Sequence, residues 1–208
     1  MTYKFAGLTF AGILAVSALT SCSSTNEAHD MSSMPSAMAS MADGMGSMTA
    51  APADAMFAQM MIPHHEQAVV MADLASTRAS SPVIKELAAE IKAAQQPEID
   101  QMTTWLAEWG VPVMDGDEAM SSHGGHGMSG MLSDADLEAL AAASGAEFDR
   151  MFAESMIMHH EGAIEMAQEV AGSSDPRVAT LAEAIISTQD AEIEQLQAFL
   201  DQAEGSNS

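Results

Sequence analysis

Met61-Ile62-Pro63-His64-His65-Glu66 returns 95 residues later as Met156-Ile157-Met158-His159-His160-Glu161. The match runs outward from these two stretches. Phe57 answers to Phe152, Ala68 to Ala163, Met71 to Met166 and Ala72 to Ala167. A second run follows at an offset of 94, in which Pro82, Leu87, Ile91, Gln95, Glu98, Ile99 and Leu106 answer to Pro176, Leu181, Ile185, Gln189, Glu192, Ile193 and Leu200. One unit is therefore written twice, and both copies keep a histidine pair flanked by methionine.

Within each copy the apolar residues have a helical period. Phe57, Met61, His64, Ala68, Met71 and Ala75 are separated by 4, 3, 4, 3 and 4 residues, and Phe152, Met156, His159, Ala163, Met166 and Val170 repeat that stripe. Such spacing places one side chain per turn on a single helix face. The first helix is predicted over about residues 54–78. Ser81-Pro82 reads as an N-cap followed by proline at the first helical position, and Gly110 with Pro112 stops the second helix near Trp109. Ser133-Asp134-Ala135-Asp136 resembles a capping box and opens a short helix ending near Ser144-Gly145. The third long helix is predicted over about 147–171, and the fourth from Asp175-Pro176 to about Ala203. No segment alternates apolar and polar residues over strand length. The fold class predicted is all-α: a four-helix bundle over residues 53–203, built from two duplicated hairpins around one shared core.

Outside the bundle the composition changes. Met1 to Lys4 precede an apolar run from Phe5 to Leu19, too short to span a bilayer and shaped like a secretory signal over residues 1–21. Leu19-Thr20-Ser21-Cys22 looks like a bacterial lipobox, with Cys22 as the lipidated first residue; the alternative is ordinary cleavage near Ala18 and a free thiol. Residues 22–52 are Ser, Ala, Met and Gly with little that is branched or aromatic, and read as a flexible tether. Met31, Met34, Met38, Met41, Met45 and Met48 recur there at helical spacing, although Pro35, Gly44 and Gly46 oppose a stable helix. Residues 110–132 form a second Gly/Ser/Met/His-rich segment, with Met114, Met120, His123, His126, Met128 and Met131.

The formal net charge is −24, and removal of residues 1–21 takes away Lys4 and no acid, leaving −25. A surface of that sign repels nucleic acid and anionic headgroups and attracts cations. Nucleic-acid binding is therefore excluded, and membrane contact is expected only through the lipid. Cys22 is the single cysteine, so soft ligation falls to thioethers, which survive in an oxidising compartment.

His64 and His159 lie on the core stripe, one turn from Met61 and Met156, so imidazole and thioether share a face. His65 and His160 fall one step around, at the edge of that face, and Glu66 and Glu161 further out toward solvent. Carboxylate di-iron bundles project Glu-x-x-His; no Glu of this chain has His three residues on, and Met61 and Met156 stand in that slot. Soft sulfur in place of hard oxygen shifts preference from iron or manganese toward copper(I). The competing reading makes methionine a core filler and the histidines hydrogen-bonded core residues. Gln95/Glu98 and Gln189/Glu192 have two roles open to them: orienting the imidazoles, or the commoner helix-surface hydrogen bonding. Pro63, where the second copy has Met158, makes the two copies unequal.

Asp54, Phe57, Met61-Ile62, His64-His65, Ala68 and Met71-Ala72, with Gln95-Gln96-Pro97-Glu98-Ile99, Met102 and Trp105-Leu106, resemble the domain-of-unknown-function 305 family. Gly145-Ala146-Glu147-Phe148-Asp149-Arg150 through Glu161-Gly162-Ala163 is similar to the same pattern. The resemblance covers about residues 53–202. It implies a ferritin-like bundle, exported in bacteria, with some members linked to periplasmic copper binding and copper resistance. It carries a binding role onto Met61, His64, His65 and Met71, and onto Met156, His159, His160 and Met166. It also gives Asp54 and Asp149 an acidic position that caps helices or joins the site.

Three function classes follow. The preferred one is a non-enzymatic, copper(I)-binding envelope lipoprotein that buffers copper or confers resistance, lipid-anchored on the extracytoplasmic or periplasmic side. The others are a ferritin-like metal-dependent oxidase and a helical interaction module in which Met and His are core. Protein partner and oligomeric state are not readable from the residues.

Overall fold

The computed structural model describes residues 50–116 and 128–205, and among them helices account for nearly all the ordered backbone, with no strand. Four long helices carry the fold: α1 (Pro52–Arg78), α2 (Pro82–Trp109), α4 (Gly145–Val170) and α5 (Pro176–Gly205); the short α3 (Asp134–Ala142) precedes α4. The expected secretory signal, lipidation of Cys22, tether with its Met stripe, and Met120, His123 and His126 lie outside the described residues.

The ends form where punctuating residues require them. Ser81 accepts from the Ile84 N–H with Pro82 at the first position, a pairing that satisfies one helical donor and removes another. α2 stops at Gly110, which is left-handed (φ 69°), while the Val111 N–H reaches back to the Leu106 carbonyl at 2.9 Å. This is a Schellman-type end, for which glycine carries no Cβ penalty. Ser133 caps α3 in the expected way, accepting from the Asp136 N–H at 3.2 Å and donating to its carboxylate. Asp175 opens α5 by accepting from the Arg177 N–H at 2.9 Å.

α1 pairs with α2 and α4 with α5 as two hairpins, and the hairpins meet chiefly through α1 and α4. The buried side chains separate into two clusters. In one, Phe57, Met61 and Ile62 of α1 pack with Met102, Trp105 and Leu106 of α2, and with Ala163, Ala167 and Ile185 of the second hairpin. In the other, Met71, Ala72 and Ala75 pack with Ile84, Leu87 and Ile91, with Phe148, Phe152 and Met156, and with Leu140 of α3. The start of α1 thus lies beside the end of α4, and the end of α1 beside the start of α4, so the two helices run antiparallel. Between the clusters, at mid-length of both helices, stand the four histidines.

The hairpins are tied reciprocally. Asp149 on α4 is buried and accepts from the Ser80 N–H (3.0 Å), the Ser81 N–H (2.9 Å) and the Ser80 hydroxyl, holding the turn between α1 and α2. Its repeat partner Asp54 on α1, equally buried, accepts from the Ser173 hydroxyl at 2.9 Å in the turn between α4 and α5. The acidic position therefore ties each helix to the opposite hairpin's turn and lies away from the histidines.

Candidate metal centre

α1 and α4 bring His64 and His159 together face to face. Their ring centroids are 3.8 Å apart with 40° between the planes, and neither side chain is exposed. His65 and His160, predicted at the edge of the buried face, are also fully buried. The reason is the partner helix. Glu98 of α2 covers His65, with Oε2 accepting from Nε2 at 2.7 Å. Glu192 of α5 places Oε2 2.8 Å from His160 Nε2, at an angle outside the hydrogen-bond range. Equivalent carboxylates thus face equivalent imidazoles in the two hairpins. This corrects the surface role open to Glu98 and Glu192: a carboxylate on one ring nitrogen fixes the ring's orientation and makes the other nitrogen more basic. Gln95 and Gln189 are not surface residues either; each is 2 % exposed.

The other ring nitrogens are bare. Nδ1 of His64, His65, His159 and His160, and Nε2 of His159, have no hydrogen-bond partner among the described residues. A carbonyl or a carboxylate only accepts, so His64 and His65 each carry a proton on Nε2, and the neutral His64 presents Nδ1 as a lone pair. A buried polar atom left without a partner destabilises a fold by about 1–3 kcal/mol. Unpartnered ring nitrogens leave lone pairs open to a ligand, and the Gln95 amide and the Gln189 Oε1 are buried without a partner as well.

Electrostatics keeps the central rings neutral. Burial, and after it the neighbouring His65, lower the His64 pKa from 6.5 to about 3, with the Ser129 carbonyl pulling the other way. Burial, then His64, His160 and His65, hold His159 well below its ordinary value. An imidazole that stays unprotonated in mild acid keeps its lone pair available to a Lewis acid.

The segment between the repeats closes one side of the pair, a contact that the spacing of residues does not foretell. The Ser129 carbonyl accepts from His64 Nε2 at 3.1 Å. It sits directly on Gly162 of α4, where a Cβ would fall 1.8 Å from the Ser129 oxygen. Gly130, at φ 82°, lies against the Met158 carbonyl, where a Cβ would fall 2.2 Å from the oxygen. Gln67 of α1 clasps the same strap: its amide donates to the Leu132 carbonyl (3.0 Å) and accepts from the Leu132 N–H (2.8 Å). Gln67 and Gly162 are equivalent positions of the repeat that differ, and that mismatch is the one trace of the strap in the sequence.

The remaining predicted residues divide. Met61 and Met156 are fully buried, one turn before His64 and His159 on the same face. Met71 and Met166 lie seven residues beyond those histidines, roughly 10 Å along the axis. Met71 is packed in the second core, and Met166 lines a separate cavity. Among the described residues no three His, Cys, Asp or Glu side chains converge as ligands.

This geometry has known relatives. The domain-of-unknown-function 305 model matches residues 54–200. The chain belongs to that family. A DUF305 protein from Streptomyces coelicolor is 30% identical over 72% of this chain and 93% of its own, with a TM-score of 0.66. A DUF305 fragment from Deinococcus radiodurans is 30% identical over 74% and 98%, at 0.65. CopM in its Cu(I)-bound form is 34% identical over 72% and 96%, at 0.60, and CopM has also been crystallised in Cu(II)-bound, Ag-bound and apo forms. No curated protein sequence matches the chain.

Proposed function

We propose that this chain is an exported lipoprotein that binds and buffers copper(I) in the cell envelope, without catalysing a reaction. The observation that carries the reading is the face-to-face pair His64–His159, buried, neutral and with unpartnered ring nitrogens, beside Met61 and Met156. Two imidazoles and two thioethers make a soft donor set that suits copper(I) better than iron(II) or manganese(II). His65 and His160, faced by Glu98 and Glu192, flank the pair.

The relatives support this. CopM was crystallised with Cu(I), Cu(II) and Ag, and the Streptomyces coelicolor relative is named as a secreted protein. No described helix is long and apolar enough to cross a membrane. Attachment in this reading rests on Cys22 and its lipid. The acidic surface draws cations toward the bundle.

The test is anaerobic copper(I) titration against a competing chelator, with iron(II) as comparison. The tightest copper(I) site should weaken at least about tenfold, or ~1.4 kcal/mol, in the His64→Ala/His159→Ala protein. Iron(II) should bind poorly and show no ferroxidase turnover. Unchanged copper(I) affinity in a folded double variant, or a stoichiometric di-iron centre, overturns the proposal.

A further inference from the structure

A cavity of about 410 Å³ opens beside the first core, away from the histidine rings. Its walls include Met56 and Met60 of α1, Met166 of α4 and Met128 of the strap, with Glu165 and Glu169 also among its lining residues. Met56 is 39 % exposed, and Met60 and Met166 are half-buried, so these sulfurs are not sealed in the core.

The repeat supplies an internal control. In the other half of the molecule the positions equivalent to Met56, Met60 and Met166 are Met151, Ser155 and Met71, and those equivalent to Glu165 and Glu169 are Val70 and Leu74. There α3 packs over the bundle: Leu140 is fully buried in the cluster that holds Met71, and Leu74, Leu137 and Met151 pack against it. Met71 and Leu74 are covered there, whereas Val70 is 48 % exposed and Met151 and Ser155 line a cavity of their own. At these positions the Met166 side carries one more thioether and two carboxylates. Solvent exposure alone explains the glutamates. It does not explain methionines from three separate segments around one open cavity, because a contiguous apolar patch at an open site marks a place of binding.

We propose that this cavity binds one soft monovalent cation, Cu(I) or Ag(I), through the thioethers of Met56, Met60, Met128 and Met166, at a site separate from the histidine pair. Methionine side chains have three rotatable bonds and a polarisable sulfur, so they can close on an ion smaller than the cavity. Thioethers carry no proton to displace, and uncharged sulfur suits a soft monovalent ion over a hard divalent one. Glu165 and Glu169 raise the local cation concentration. Ser129 joins the two sites: it lines this cavity, and its carbonyl holds His64. An ion gathered here therefore waits one residue from the pair. The proposal stands on the cavity and does not depend on what the histidines bind.

The experiment follows the methionine methyl signals of the full mature chain, labelled at the methionine methyl carbon, during anaerobic titration with Ag(I). The variants Met56→Leu, Met60→Leu and Met166→Leu identify three of the signals. These should shift at stoichiometric silver, and the shifts should persist in the His64→Ala/His159→Ala protein. The triple leucine variant should bind one Ag(I) fewer than the parent. Met56→Leu alone, a change at an exposed side chain, should weaken the site about tenfold and covers the case of a triple variant that does not fold. The proposal is overturned if the three methyls stay still while silver binds elsewhere. It is also overturned if they move only when His64 and His159 are present, or if the silver count is unchanged in the triple variant.

Discussion

His64 and His159 occupy the same place in the two repeats, one turn after a buried methionine and facing one another, yet their surroundings differ. His64 donates Nε2 to the Ser129 carbonyl, whereas neither ring nitrogen of His159 has a partner among the described residues. The copies themselves are not the cause. A single segment joins two hairpins, so it covers one side of their interface only. Gly162 makes room for that strap on α4, and Gln67 grips it from α1. The duplication supplies the pair and the connection makes it asymmetric: one imidazole is held in a fixed tautomer, the other is free to choose.

Acid should disturb this pair most. Both central imidazoles are neutral in the fold to well below their ordinary pKa, while in the unfolded chain they take up protons near 6.5. Above that value neither contributes to pH dependence. As the pH falls below 6.5 the unfolded state binds protons that the folded state does not, so stability declines, and for His64 the decline ends near pH 3. Between pH 6.5 and 4.5 the His64 ring should remove about 2–3 kcal/mol, and His159 should act in the same direction. Denaturant midpoints across that window should fall for the parent and stay flatter in His64→Gln and His159→Gln. A parent protein with no loss of stability over this range would mean that the rings are hydrated.

A second asymmetry is smaller. Asp149 accepts three hydrogen bonds from the turn before α2, and Asp54 accepts one from the turn before α5. Asp149→Ala strands two backbone donors and should destabilise by about 2–3 kcal/mol, against about 1 kcal/mol for Asp54→Ala. Thermal unfolding of the two variants measures the gap, and equal losses would mean that the two ties are equivalent.

Much of the fold is legible in the sequence because its signals are local. Proline after serine or aspartate and glycine after tryptophan need only their neighbours to be read, and they set the ends of α2 and the start of α5. The stripe through Met61, His64 and Met71 is likewise a property of one helix. Contacts between distant segments leave no such mark. His65 and His160 look peripheral on their own helices and become fully buried because Glu98 and Glu192 fold over them from the partner helix. The strap reads as a linker rich in Gly, Ser, Met and His, and nothing local to Ser129 says that its carbonyl meets a histidine 65 residues away. Met71 and Met166 look interchangeable in the repeat and are separated only by what covers them: Leu140 over one, an open cavity at the other.

Whether the unpartnered imidazole nitrogens of the central pair take up a soft metal can be read from the rings themselves. The measurement follows the ring ¹⁵N signals of His64 and His159 during anaerobic titration of the full chain with Ag(I), a redox-inert stand-in for Cu(I). Nδ1 of His64 and one ring nitrogen of His159 should shift together at stoichiometric silver, while His64 Nε2 keeps its proton on Ser129. If the ring nitrogens of both residues stay unmoved while silver binds stoichiometrically, the pair is a packed core feature and does not bind the metal.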